Sequence, residues 1–234
     1  MLIDFHTHIL PDIDDGSASL EESIELLKKE AEQGVTHVVA TPHFYAQHDT
    51  PERFLERRNK AFITLSEEMK KYSGLPEIIL GAEVYYYHGI ADSEALDLLT
   101  LSSKRFILIE MPMAKWTESM YQEIEAIYTR RGITPIMAHM DRYIAPFATH
   151  NIPEKFAKLP VIVQANASFF KKGGLTSKLA FKLLKTDKIQ LLGSDCHNMT
   201  SRIPNLGDAV EVIEKKLGRE AIDRINRYGE NVLF

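Results

Sequence analysis

The chain of 234 residues is 44% apolar and 26% charged, the balance of an ordinary globular protein, so collagen-like, low-complexity and disordered readings are excluded. Its 28 Lys and Arg against 33 Asp and Glu leave a formal charge of −5, which argues against a global electrostatic hold on nucleic acid. The single cysteine, Cys196, permits neither an internal disulfide nor a thiolate zinc cage, and no apolar run of about 18 residues or signal-peptide pattern occurs, so a soluble cytoplasmic protein is expected.

Short apolar runs alternate with longer amphipathic stretches from end to end. Seven runs read as strands, at 2–5, 37–41, 78–83, 106–110, 135–139, 161–165 and 189–194. Helices are predicted between and after them at 20–33, 51–72, 92–99, 117–131, 176–186 and 206–217. In the first helix Leu20, Ile24, Leu27 and Ala31 share one face. Ser19 with Glu22 forms a capping box, and Gly34 supplies the stop. No linker or composition break divides the chain, so residues 1–234 are expected to form a single domain. Seven βα units imply an α/β fold, a (β/α) barrel one strand short of the usual eight. An open doubly wound sheet is the alternative, although no Gly-x-Gly-x-x-Gly follows the first strand.

The ends of these runs carry the chemistry. The first leads into His6 and His8, followed by Asp12, Asp14 and Asp15. The second leads to His43, the third to Glu83, the fourth to Glu110, the fifth to His139, Asp141 and Arg142, and the last to Asp195 and His197. In a parallel barrel all C-terminal strand ends open on one face, so these residues converge there. Imidazole and carboxylate suit borderline-hard metal ions. His6 and His8 stand two apart on extended chain and point to one side, as do Asp195 and His197, with Cys196 between them pointing away. Each histidine taken alone reads as readily as a core or surface residue. Five at strand ends make that reading a poor account of the group.

The order His6-x-His8, Asp15, Thr41-Pro42-His43, Glu83, Glu110, His139 and Ser194-Asp195-x-His197 resembles the polymerase and histidinol phosphatase (PHP) superfamily. Within it, the stretches 9–17, 81–86 and 138–143 resemble the bacterial metal-dependent protein-tyrosine phosphatases of capsule and exopolysaccharide synthesis, over residues 2 to about 204. The resemblance implies a distorted, TIM-like (β/α)7 barrel with three metal ions, commonly manganese. It implies metal ligation by His6, His8, Asp15, His43, Glu83, Glu110, His139, Asp195 and His197, with Glu83 bridging, and a phosphate-holding role for Arg142. Asp141 stands where relatives usually carry Glu, and Phe44 where many carry a second His.

The charge balance agrees with this ligand set. Asp15, Glu83, Glu110 and Asp195 against three divalent ions leave a net charge of about +2, complementary to a phosphate dianion. A water shared by such ions would ionise near pH ~7 and supply hydroxide for in-line attack on phosphorus. Phenolate, of pKa ~10, leaves without a dedicated general acid.

Several secondary residues have two readings. Arg142 either holds phosphate or pairs with Asp141 at the surface; Arg202 is a further phosphate candidate on the loop after the last strand. Asp14 competes with Asp15 for the metal, or with Asp12 forms an acidic turn closing on Gly16. Glu110 is a ligand or a rim carboxylate. Cys196 and Arg202 reproduce the Cys-x5-Arg spacing of thiol phosphatases, but the intervening residues contain no Gly to cradle phosphate, and an inert cysteine is the alternative. Phe44, Tyr45, Tyr85, Tyr86 and Tyr87 either sandwich a phosphotyrosine ring or fill the barrel rim, and Trp116, Met111 and Met113 raise the same question. His37, His48, His88 and His150 read as structural or surface.

The expected function is hydrolysis of phosphotyrosine in protein, the substrate being the tail of a bacterial tyrosine kinase. Rivals are a small-metabolite phosphatase such as a histidinol-phosphate phosphatase, a nuclease, and a metal-binding regulatory module without turnover. A shallow, open mouth would favour the protein substrate, and a deep, lidded pocket the metabolite.

Overall fold

The computed structural model describes residues 1–101, 105–144 and 152–234. His150 lies outside them. The strands are β1 (Ile3–Thr7), β2 (His37–Ala40), β3 (His43–Phe44), β4 (Glu77–Leu80), β5 (Glu83–Tyr85), β6 (Phe106–Glu110), β7 (Thr134–Met137), β8 (Ile162–Asn166) and β9 (Leu191–Gly193). All pair in parallel, in the orders β1-β2-β4 and β3-β5-β6-β7-β8-β9.

The two sheets are one curled surface. β2 and β3 are two parts of one run broken at Thr41-Pro42, where proline has no N–H to give the ladder. β4 and β5 are likewise broken at Gly81-Ala82, and the bonds Gly81 N to Ala40 O (2.9 Å) and Glu83 N to Pro42 O (3.0 Å) carry the pairing across both breaks. Seven strand positions result, each overlapping one of the seven apolar runs. The first and last meet at a parallel bridge between Thr7 and Cys196, with Asp195 N donating to His6 O (2.8 Å) and His8 N to Cys196 O (2.9 Å). A Cβ on Gly193 would stand 2.6 Å from His6 Cβ, so this seam closes only around glycine. The result is a distorted (β/α)7 barrel.

The helices are α1 (Leu20–Glu32), α2 (Pro51–Met69), α3 (Glu118–Arg131), α4 (Met140–Ile144), α5 (Ile152–Phe156), α6 (Ser168–Lys171), α7 (Gly174–Lys185), α8 (Leu206–Leu217) and α9 (Arg219–Leu233). Ser19 caps α1 by accepting from Glu22 N (3.2 Å), but Glu22 returns its bond to Ala18 N (2.9 Å) instead of Ser19 N, so the box is only half made. The helix expected over 92–99 is two short 3-10 turns, Ile90–Asp92 and Glu94–Leu98, because Ser93 between them is extended at φ −77 and ψ 121. The sequence reading stopped at 217 and missed α9.

That last helix has a structural purpose. Val232 and Leu233 join Ile3, Phe5, Leu108, Ile136 and Leu191 in an apolar cluster distinct from the main core between helices and sheet. The end of the barrel that carries no catalytic candidates is therefore sealed by carbon. Among the described residues no helix is long and apolar enough to cross a membrane.

Candidate metal centre

The β1 strand shows how the site is aimed. Its register slips between Asp4 and Thr7, where three residues of β1 advance against two of β2. Period-two alternation would put Asp4 beside His6. Instead Asp4 turns to Ser194 N, while His6 Nε2 lies 3.1 Å from His8 Nε2 and 3.1 Å from Glu83 Oε2. Behind His8 the chain doubles back. Ser17 N donates to His8 O (3.0 Å), and a Cβ at Gly16 would lie 2.4 Å from that same oxygen, so only glycine fits the return.

Every expected ligand reaches one locus. Glu83 Oε2 lies 3.1 Å from His6 Nε2, 3.3 Å from His8 Nε2 and 3.1 Å from His43 Nδ1; its other oxygen is 2.9 Å from His139 Nε2. Glu110 stands 3.5 Å from His139 Nε2 and 3.8 Å from His43 Nδ1. Asp195 Oδ1 is 3.6 Å from His6 Nε2, and Asp15 Oδ1 is 3.4 Å from His43 Nε2 and 3.5 Å from His197 Nε2. Among the described residues, donor atoms within 4.8 Å of one another form three groups: His8, Asp15, His43 and His197; His6, His8 and Asp195; and His43, Glu83 and Glu110.

These donors fit metal ions better than one another. Glu83 Oε2, His43 Nδ1 and His197 Nε2 are buried without a hydrogen-bond partner, although Glu83 Oε2 and His43 Nδ1 are only 3.1 Å apart. Two donors each about 2.1 Å from a common ion, at an angle of about 95–110°, stand about 3.1–3.4 Å apart. The spacings of Glu83 Oε2 from His6, His8 and His43 and of Asp15 from His43 fall in that window, and unmade hydrogen bonds at buried atoms would otherwise cost free energy.

The electrostatics run the same way. Burial alone would raise Glu83 and Asp195, yet both carboxyls are held below the usual range, Glu83 chiefly by His6 and His139 and Asp195 by His6 and Arg142. Burial would lower His8, but Asp14 and Glu83 push it up to about 10. His139 rises against burial to about 9 through Glu110 and Glu83, whereas burial and the charge on His8 bring His197 down to about 3. Backbone strain marks the same spot: His139 (φ 31) and Asp195 (φ 57) are two of four non-glycine residues in the left-handed region among the described residues.

The ambiguous residues separate. Asp14 is neither a competitor for the ligand position nor merely a turn former. Its Oδ2 lies 2.8 Å from His8 Nδ1 and accepts from His43 N (2.9 Å), an orienting carboxylate behind a histidine. Asp15, 67% exposed, faces the donors from the solvent side. Asp12 lies in the turn and bonds through its N–H to Ser17 O. Arg142 does not pair with Asp141; it pairs with Asp195 Oδ2, and Arg202 Nη2 meets the other oxygen, Oδ1, at 2.6 Å. Asp141 is buried and accepts from Asn166 N (2.9 Å). Cys196 faces the opposite way, with Sγ 3.7 Å from Glu30 Oε1, and burial drives its thiol well above its ordinary value, so it and Arg202 do not share a phosphate cradle.

Among the aromatics, Tyr45 stands 5.3 Å from His43 and 5.4 Å from Tyr85, at the mouth. Phe44 packs on Phe54, Tyr86 gives its hydroxyl proton to Glu123, and Trp116 is wedged against Tyr143 and Phe156, all structural. Tyr87 is half-buried against the main core; Met111 is buried and Met113 exposed. His37 sits by Glu77 and Phe234, and His88 pairs with Glu123. His48 lines a cavity of about 300 Å³ with Asp15, His43 and Tyr45, nearer the centre than expected.

Two site residues escaped the sequence reading. Gln164 Oε1 accepts from His139 N (2.6 Å) and lies 3.4 Å from His6 Nδ1, and Asn166 Nδ2 donates to Asp195 Oδ2 (3.0 Å). The signal was present: polar residues two apart at a strand end, the same arrangement as His6-x-His8.

Comparison with known proteins agrees with this geometry. The chain is 32% identical over 226 residues to the tyrosine-protein phosphatase CpsB of Streptococcus pneumoniae, covering 93% of this chain and 91% of that one. It is 27% identical over 229 residues to the tyrosine-protein phosphatase YwqE of Bacillus subtilis, covering 94% and 86%. A solved structure from work on YwqE and CpsB, described as metal-dependent tyrosine phosphatases, shares the fold with a TM-score of 0.87 at 24% identity, over 99% of this chain and 94% of that one. The model of the capsular polysaccharide synthesis family CpsB/CapC matches residues 2–233, past the limit near 204 expected from sequence and through α9. The chain belongs to the CpsB/CapC family.

Proposed function

We propose that this protein is a metal-dependent protein-tyrosine phosphatase, a phosphoric monoester hydrolase of capsule or exopolysaccharide synthesis. All 234 residues are read as one domain. Its substrate is the phosphotyrosine tail of a bacterial tyrosine kinase, met in the cytoplasm. The observation that carries the reading is the gathering of His6, His8, His43 and His139 within 3.3 Å of Glu83, with Glu83 Oε2 and His43 Nδ1 left without a hydrogen-bond partner.

His6, His8, Asp15, His43, Glu83, Glu110, His139, Asp195 and His197 would hold three divalent ions, manganese first, with Glu83 shared between them. Bound there, such ions acidify water and neutralise phosphoryl charge. The chain's own residues do the rest. Asp14 fixes the tautomer and direction of His8, and Gln164 and Asn166 hold His139 and Asp195 in place. Arg142 and Arg202 each present a planar guanidinium with five donors, of which Asp195 engages only part, and their exposed N–H groups take the phosphate oxygens. Tyr45 and Tyr85, in contact with each other at 5.4 Å, form one aromatic wall against which the phenyl ring would lie. Asp15, two-thirds exposed, and the two arginines, one-third exposed, leave an approach open enough for a tyrosine on a protein.

The test is turnover by purified protein of a phosphotyrosine peptide against histidinol phosphate, with and without chelator, beside elemental analysis. Preference for the peptide, lost on chelation and restored by manganese, is expected. Preference for histidinol phosphate would move the substrate to the metabolite class; activity that survives chelation but dies on thiol alkylation would overturn the metal reading.

A further inference from the structure

Residues 167–186 contain five lysines and no acid, in a chain whose formal charge is −5. Such a concentration of one sign is a local field rather than a solvated average. The segment starts at the candidate centre: Asn166, which donates to Asp195, is followed two residues later by α6, and Lys172 Nζ lies 3.7 Å from Asp141, the neighbour of Arg142. From α6 a groove of about 630 Å³ runs between α7 and α8. Phe170, Phe181, Val212 and Leu217 supply its apolar lining, and Lys178 and Lys216 its charge.

Lys171 is already paired with Asp208, but Lys178, Lys182, Lys185, Lys215 and Lys216 form no ion pair with any described residue. Lys178, Lys182 and Lys185 follow Leu175 at intervals of three, seven and ten along α7, so all four are exposed on one stripe.

We propose that the α6–α7–α8 groove docks an acidic segment of the phosphoprotein substrate, carboxylates on the lysines and an apolar side chain on the phenylalanine floor, while the phosphotyrosine occupies the mouth. The inference rests on the phosphatase reading and names the chemistry of the flanking substrate. An anionic membrane would find the same charge, but interfacial binding needs several projecting apolar side chains. Here the phenylalanines are recessed and Leu175, 83% exposed, is the one large apolar residue projecting from the stripe. A recessed floor suits a peptide side chain.

The experiment uses the full chain loaded with manganese and three substrates: a phosphotyrosine peptide with Asp and Glu flanks, the same peptide with Asn and Gln instead, and p-nitrophenyl phosphate. The acidic peptide should show kcat/KM about tenfold higher than the neutral one, carried by KM, at about 50 mM salt and little advantage at about 500 mM. The triple variant K178E/K182E/K216E should erase that advantage, and K178Q/K182Q/K216Q should reduce it. Both should leave p-nitrophenyl phosphate turnover unchanged.

Equal kcat/KM for the two peptides, or an equal loss on p-nitrophenyl phosphate, would overturn the docking site. So would a variant whose only defect is sedimentation with phosphatidylserine vesicles, which would assign the face to a membrane. Fluorescence anisotropy with the unphosphorylated acidic peptide reads docking without turnover. Salt-sensitive binding lost in the triple variant would uphold the groove even if no phosphotyrosine substrate were hydrolysed, and no binding alongside good hydrolysis would refute the groove alone.

Discussion

Two buried acid clusters flank the seam between β1 and β9, and they behave in opposite ways. On one side Glu83 and Asp195 lie among imidazoles and guanidinium groups and are held ionised below the usual carboxylate range. On the other side Asp4 accepts from Ser194 N and His6 N, beside Glu30, whose Oε1 is 3.4 Å from Ser194 Oγ and whose Oε2 has no partner. There burial raises Asp4, and burial plus the Asp4 charge push Glu30 well above its ordinary value. Desolvation acts the same way in both clusters. What differs is the sign of the neighbours, so the first cluster suits cations while in the second both carboxyls are pushed towards their neutral forms.

The largest effect should follow from breaking the cation seat. Glu83→Gln removes the charge that four histidines share, and phosphotyrosine turnover should fall by at least about a hundredfold, with divalent ions lost on dialysis. Full metal content and normal rates in that variant would sink the assignment of Glu83 as the shared ligand.

A smaller loss is expected from Asp14→Asn. Without its carboxylate His8 loses an orienting partner and part of what lifts it to about 10. Metal affinity should drop about 10- to 100-fold, with activity recovering at high manganese, because the ligands themselves remain. An unchanged metal titration would reduce Asp14 to a turn residue.

The smallest effect belongs to the second cluster. A carboxyl whose folded value is raised contributes stability below its unfolded value, near 4.5, and that contribution is lost as pH rises through the folded value. Glu30→Gln is neutral throughout, so its melting temperature relative to the parent should climb as the pH rises above about 5, by about 2–4 °C for each kcal/mol relieved. A difference that stayed flat with pH would show that folding does not raise the Glu30 carboxyl.

Much of this molecule is legible in its residues. Strand and helix periods place the seven strands and most of the long helices, because burial on a sheet face and on a helix face leaves different repeats. Residue type at strand ends gathers the donors, since parallel strands share one C-terminal face. The failures are equally specific. The 92–99 segment has helical composition, but Ser93 is drawn into an extended turn. The role of Asp14 depends on a nitrogen six residues earlier, and those of Gln164 and Asn166 on partners at His139 and Asp195 from other strands. Arg142 has an adjacent acid, Asp141, which goes instead to a backbone N–H of β8.

Sequence alone determined the parallel α/β class and the strand count and named the candidate donors, because hydrophobic period and side-chain chemistry are local properties. Tertiary structure decided which face each donor uses. The one-residue slip in β1 sends Asp4 and His6 to different clusters, and the left-handed backbone at His139 and Asp195 turns both inward. It also decided the protonation pattern, since the pKa of a buried carboxyl depends on neighbours brought from elsewhere in the chain by folding.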